Sequence, residues 1–364
     1  MPHVAAAHGW SLAFCMAGFS LGLVVSGILS PTVCGWIDRY GGNIVMSAGA
    51  LAGALGLALL PVADQPWFYF ACWLLLGAAM SSTLYDPAFA TLARIFGSSA
   101  RRQITFVTFA GGFASTVGWP ATHFLLEHLG WRGTYLAFAA VFALVIAPLH
   151  AFALPRSVAV VPPPAVAGPT VMAAPLLRPE GWPFILLAAA FSLHAFLLSG
   201  VTSNWLAMLE RGGLSAATVV TIGAMFGPAQ VASRLTDFWL AGHTHPLWIA
   251  RGAVALMAFA FAMLALTGIS FPVAALFAIA FGAANGVMTI ARGALPLMMF
   301  GAIGYGRVIG RIARPALFVQ ALAPFVVASA VERFSDRAVL EAGVIGALVA
   351  LGCFLAIRPG AARH

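Results

Sequence analysis

Apolar residues dominate this chain in long runs, and short polar or charged turns interrupt them. Runs of about 20 apolar residues are what a helix needs to cross the hydrocarbon core of a bilayer. By that measure eleven spans are expected, near 12–35, 43–61, 67–93, 103–126, 132–153, 183–208, 215–239, 247–268, 272–299, 309–331 and 338–357. Between 154 and 183 the chain is still apolar but holds eight prolines, including Pro162, Pro163 and Pro164. Backbone groups freed by so many prolines would find no partner in lipid. That segment is therefore expected to be an extended linker rather than a span.

Composition agrees. The chain has 364 residues, 62% of them hydrophobic and 8% charged, with a mean hydropathy of +0.98. A soluble domain carries about 25% charged residues. The net charge of +8 comes from 18 basic residues, all arginine and scattered singly or in pairs between apolar runs. Such scatter sets membrane orientation and is not the clustered patch that nucleic-acid binding requires. If the turn at Asp38 and Arg39 is placed in the cytoplasm, thirteen of the 18 arginines fall on that side. The opposite orientation would invert the positive-inside rule. An integral inner-membrane protein follows, with its C-terminus cytoplasmic and its N-terminus, as the chain stands, outside. Trp10, Trp67, Trp131, Trp182 and Trp248 sit at predicted span ends, where an amphipathic ring is favoured. The four cysteines show no CxxC pair and no zinc spacing, so no metal or other cofactor is expected. No cleavable leader pattern precedes the first span.

The chain on either side of the linker is similar to itself. Gly77-Ala78-Ala79 recurs as Gly282-Ala283-Ala284, Phe96-Gly97 as Phe300-Gly301, Arg102 as Arg307 and Pro120 as Pro324, at offsets of 204 to 205 residues. A parallel internal repeat of this size is a transporter signature. Three units are expected: a five-span bundle over 1–153, a linker over 154–182 and a six-span bundle over 183–364.

The turn Cys34-Gly35-Trp36-Ile37-Asp38-Arg39-Tyr40-Gly41-Gly42 resembles the loop between the second and third helices of the major facilitator superfamily, Gly-x-x-x-Asp-Arg-x-Gly-Arg. Gly130-Trp131-Arg132-Gly133 resembles the start of that family's sixth helix. The resemblance implies an all-α polytopic fold of two six-helix bundles related by a pseudo-repeat, about eleven of the twelve helices being present. Cys34 and Gly42 replace the motif's first glycine and last arginine. If the loop follows helix two, helix one has no counterpart here, and a remnant without transport activity becomes one expectation.

Ionisable groups inside spans mark pathways or partners. Arg292 in the tenth span of that template cannot lose its proton, so it must face an anion, a carboxylate or carbonyls. Asp86, beside Pro87 in the fourth, falls one position from the counterpart of Arg292 when the halves are aligned. It could carry a proton, or pair with Arg39 or Arg94. Asp86 and Arg292 are expected to meet when the cytoplasmic side closes, and a charge swap should then restore transport lost in either single variant. His194 in the seventh is either a proton relay or a packing histidine. Asn285, Asn204 and Trp205 are candidate substrate contacts or interhelical ties. The resemblance places Asp86, His194 and Arg292 on helices that line the family's central cavity. It also implies gating roles for Asp38 and Arg39, with Arg234 and Asp237 as their second-half counterparts.

The expected function is secondary transport of a small solute, an organic anion in view of Arg292. Drug or amphiphile efflux is the alternative. No GxxxxGK[ST] sequence is present to bind ATP. An integral-membrane enzyme would need more than His243-Thr244-His245. The partners expected are a solute and lipid, without nucleic acid, and the chain is expected to be a monomer.

Overall fold

The computed structural model describes residues 1–156, 180–240 and 245–357; the linker prolines Pro162, Pro163 and Pro164, and the tripeptide from His243, therefore lie outside the described residues, apart from His245. Every regular element among the described residues is helical. Before the linker these are α1 (Pro2–His8), α2 (Leu12–Tyr40), α3 (Gly42–Leu59), α4 (Pro66–Thr83), α5 (Tyr85–Phe96), α6 (Arg101–Gly112), α7 (Ala114–Val141) and α8 (Ala147–Ala153). After it come α9 (Trp182–Arg211), α10 (Ala216–Leu240), α11 (Pro246–Thr267), α12 (Phe271–Phe300), α13 (Tyr305–Arg333) and α14 (Asp336–Ala356).

Helix is the form these sequences must take in lipid, because it pairs each backbone N–H and C=O within one segment. Among the described residues nine helical stretches are long and apolar enough to cross a membrane. One of them, Pro66–Ala153, is 88 residues long. At 1.5 Å per residue it would measure roughly 130 Å, over four times the ~30 Å bilayer core. It therefore holds the three spans expected near 67–93, 103–126 and 132–153. The turn between the last two is made at Gly130, whose φ of 64° breaks α7 internally. That value suits glycine and little else.

Surfaces match a lipid solvent. Leu266, Trp239, Phe152 and Leu144 are each more than 75% exposed, a state that a water-soluble protein avoids in bulk. Trp67, Trp182 and Trp248 are exposed at the first turns of α4, α9 and α11. Inside, the helices after the linker share an apolar core in which Trp205 stacks on Phe277 at 4.3 Å, and Phe277 on Phe281 at 5.3 Å.

The internal repeat has a packing basis. A Cβ on Gly77 of α4 would lie 2.6 Å from the Gly22 carbonyl of α2. A Cβ on Gly282, its counterpart in α12, would lie 2.6 Å from the Phe226 carbonyl of α10. Each glycine thus lets two helices approach to backbone contact, and it does so at the same place in each half.

The helices before and after the linker meet chiefly along α2 and α13, which run antiparallel. Gly306 and Gly310 of α13, four residues apart, face the carbonyls of Cys34 and Ser30. One mixed cluster closes the end of the molecule at which α2 terminates: Ile37, Phe89 and Ile104 from the first half pack with Leu297, Tyr305 and Ile309 from the second. The apolar cluster at the opposite end, built on Cys15, Tyr69, Cys72 and Trp73, draws on the first half alone.

Candidate functional site

Asp86 owes its position to a broken helix. Leu84 adopts an extended conformation (φ −87°, ψ −162°) between α4 and α5. Pro87 then occupies the first turn of α5, where its missing N–H has no intrahelical bond to make. The break puts Asp86 in the first turn of a new helix, beside unpaired N–H groups and the positive end of the helix dipole. A carboxylate is favoured there even at membrane depth. Discontinuous helices with such ends are how transporter folds build midplane sites.

Across from it, Arg292 projects from α12, eight residues before its end, or ~12 Å along the axis. Arg292 Nη2 donates to Asp86 Oδ2 at 2.7 Å, and the two side chains are 23% and 10% exposed. The contact is end-on rather than bidentate, and Asp86 Oδ1 and Arg292 Nε have no hydrogen-bond partner among the described residues. Arg292 thus keeps donor capacity for a second anion. The pair joins residues 206 positions apart, one from each half.

Two turns from Arg292 on the same face of α12 lies Asn285. Its Nδ2 donates to Gln230 Oε1 at 2.9 Å, which fixes its Oδ1 as the acceptor toward His194 Nε2 at 3.2 Å. A neutral His194 therefore carries its proton on Nε2 and its lone pair on Nδ1, which is buried without a partner among the described residues. Gln230 Oε1 also accepts from Arg234 Nη2 at 3.3 Å. Arg234 Nη1 donates across to the Thr108 carbonyl of α6 at 2.9 Å, and its Nε to the Gly286 carbonyl at 3.3 Å. A hydrogen-bonded chain thus runs from His194 to the contact between the halves. Asp237, one turn beyond Arg234, is 4% exposed and under the electrostatic influence of Arg101.

Asp38 acts at the other seam. Its carboxylate accepts from the backbone N–H groups of Gly306 and Arg307, both at 2.9 Å, and so caps the start of α13. Arg39 points elsewhere: it is exposed, lies over the Tyr40 ring at 5.2 Å and lines a surface crevice. Arg94 packs instead on the end of α2, donating to the carbonyls of Ile37 and Asp38.

The structure therefore brings Asp86 and Arg292 into contact and joins His194 to Asn285. It places Asp38, Arg234 and Asp237 where the halves meet. It leaves Arg39 exposed at the rim of that seam rather than packed within it, and does not bring Asp86 to Arg39 or Arg94. Asn204 and Trp205 lie apart, lining an apolar cavity of about 170 Å³ between α9, α13 and α14. Asn204 Nδ2 donates to the Gly200 carbonyl of its own helix. Thr108 and the Gly306–Gly310 pair are contacts that the sequence reasoning did not single out, and Arg94 was considered there only as a partner for Asp86. For the glycine pair, the small-x-x-x-small spacing was the available signal. No group of three or more potential metal ligands occurs among the described residues.

A stack of membrane-length helices with an internal repeat, a broken helix and a buried ion pair is the architecture of a polytopic membrane protein. The family description "Major Facilitator Superfamily" matches residues 1–314, and the chain belongs to that superfamily. It is 29% identical to human monocarboxylate transporter 11 over 229 residues, 61% of this chain and 47% of that protein. It is 28% identical to bovine monocarboxylate transporter 13 over 175 residues, 48% of this chain and 40% of that protein. The chain thus spans about half the length of these relatives or less. Among solved structures, the human organic anion transporter MFSD10 (TETRAN) superposes with a TM-score of 0.70 at 17% identity, covering 96% of this chain and 87% of that one. The transporter FucP in its outward conformation gives 0.66 at 14% identity, covering 98% and 92%. These likenesses bear on the fold.

Proposed function

We propose that the protein is a secondary transporter that carries a small monocarboxylate together with a proton by alternating access. One observation carries this proposal: the end-on ion pair between Asp86 and Arg292, made across the two halves, with a donor and an acceptor left over. The similarity to monocarboxylate transporters supports the substrate class.

The chemistry balances. An empty carrier has Asp86 and Arg292 neutralising each other. A substrate carboxylate entering the site takes Arg292, and a proton taken by Asp86 keeps the site neutral. Both states that must cross thus carry no net charge through a low-dielectric region, where an unpaired ion is costly. A lone carboxylate or a lone proton leaves one charge uncompensated, so the two move together. His194, through its free Nδ1, relays the proton. The two helix sets act as bundles that rock about the α2–α13 and α6–α10 seams. With the Asp38 end placed in the cytoplasm, an orientation the positive-inside rule supports, the packing of both helix sets at that end closes the carrier on its inner side.

Uptake of radiolabelled lactate and pyruvate into proteoliposomes tests the proposal. Uptake should follow an inward proton gradient. Arg292→Gln should raise the KM by about 10- to 100-fold, the weight of a hydrogen bond to a charged group. Asp86→Asn should remove the dependence on the proton gradient. Efflux of amphiphilic dyes without carboxylate uptake would overturn the proposal in favour of an amphiphile carrier.

A further inference from the structure

On the outer flank of the molecule, where α2 meets the start of α13, lies a crevice of about 720 Å³ whose wall includes Trp36, Arg39, Arg307, Arg311 and Arg314. Four guanidinium groups share it with one carboxylate, that of Asp38. Asp38 is already engaged by the N–H groups at the start of α13. None of the four arginines forms an ion pair with a carboxylate among the described residues. Arg311 lies over the Phe184 ring at 4.7 Å, and Arg314 Nη2 donates to the Ile28 carbonyl at 3.3 Å.

The spacing is directional. Arg307, Arg311 and Arg314 stand at i, i+4 and i+7, one face of α13, while Ile309, Ile312 and Ala313 are buried on the other. The stripe runs ~10 Å along the helix, from its end inward. A bilayer's headgroup layer is ~5–7 Å deep on each side of the core, so the stripe crosses the layer and reaches the first acyl carbons. Ile28, about half exposed, borders the deeper part beside Arg314, and Trp36, likewise half exposed, stands nearer the mouth at the level of Gly306. Four like charges gathered around a single carboxylate repel one another and favour a further anion among them. A freely soluble anion would be held at the mouth by Arg39 and Arg307. Arg311 and Arg314, deeper and beside apolar surface, suit a phosphate that carries acyl chains.

We infer that this crevice binds the headgroup of an anionic phospholipid, which bridges α2 of one half and α13 of the other. Resting on the transport mechanism proposed above, the lipid favours the conformer closed at the Asp38 end, because opening that end separates the two walls.

Native mass spectrometry of the full chain in detergent tests the binding without any transport measurement. Dioleoyl-phosphatidylglycerol, dioleoyl-phosphatidylcholine and inorganic phosphate are offered in turn. Phosphatidylglycerol should be retained at least tenfold more than phosphatidylcholine, and excess inorganic phosphate should not displace it. Arg311→Gln with Arg314→Gln should lose the retained lipid. Arg314→Lys, which keeps the charge, and Arg337→Gln, in the first turn of α14, should keep it. Equal retention of the two lipids, displacement by phosphate, or retention by the double variant at wild-type melting temperature would overturn the inference. Loss of carboxylate uptake with the lipid still bound would count against the transport mechanism alone.

Discussion

Replacing Asp86 with alanine should unlock the closed end. The side chain makes one charged hydrogen bond, 2.7 Å long, to a guanidinium that is itself 23% exposed. Removing one partner of a buried pair typically costs about 3–5 kcal/mol, because the remaining charge is stranded. The residual exposure of Arg292 lowers this to about 2–4 kcal/mol. The cost falls on the conformer that makes the pair, so its population relative to the opened form should drop by about 30- to 900-fold. Spin labels at Tyr40 and Ile303, both exposed near the seam, report the change by electron–electron resonance distances. The wild type should show a narrow, short distribution, and the Asp86→Ala variant a broad or longer one. The Asp86→Ala, Arg292→Ala double variant strands no charge, so it should lie closer to wild type than either single variant. An unchanged distribution in Asp86→Ala, or a double variant that opens by the sum of the single effects, would refute the idea that this pair holds the end closed.

Gly310→Ala puts a Cβ within 2.6 Å of Pro31 Cα and at a similar distance from the Ser30 carbonyl. Backbone must move, so a loss of about 1–3 kcal/mol is expected in thermal melts. Gly35→Ala, with open space around it, should melt like wild type. His194→Leu deletes the bond to Asn285 and leaves that amide short of a partner. It should destabilise by about 1–3 kcal/mol and, in the mechanism proposed, slow proton-driven uptake more than carboxylate exchange. Asp38→Asn should weaken the cap on α13 by about 1 kcal/mol and raise the labelling rate of a cysteine placed at Ile303.

The fold was legible in the chain because lipid permits so few solutions. Span positions followed from apolar run lengths, and the break at Gly130 fell between two predicted spans. The pairing of Asp86 with Arg292 was legible through the repeat, since residues equivalent under it share depth. The break at Leu84 was not legible: the run from 67 to 93 is apolar enough to read as one span despite Ser81, Ser82, Thr83 and Asp86, and a proline alone does not say whether a helix kinks or restarts. The direction of Arg39 was hidden for a geometric reason. Neighbours on a helix point ~100° apart, so a motif naming both Asp38 and Arg39 could not aim both at α13. The chain from His194 to Thr108 needed tertiary structure, because Gln230 and Thr108 are ordinary polar residues until a helix from the other half arrives.

That late arrival bears on how the molecule is made. Asp86 enters the membrane with α4 and α5, and its partner is added 206 residues later. At 5–20 residues per second this is an interval of about 10–40 s. Throughout it the carboxylate has only the first turn of its own helix to stabilise it. The restart at Leu84 therefore matters before the protein is finished: its free N–H groups give the carboxylate a partner while the arginine does not yet exist.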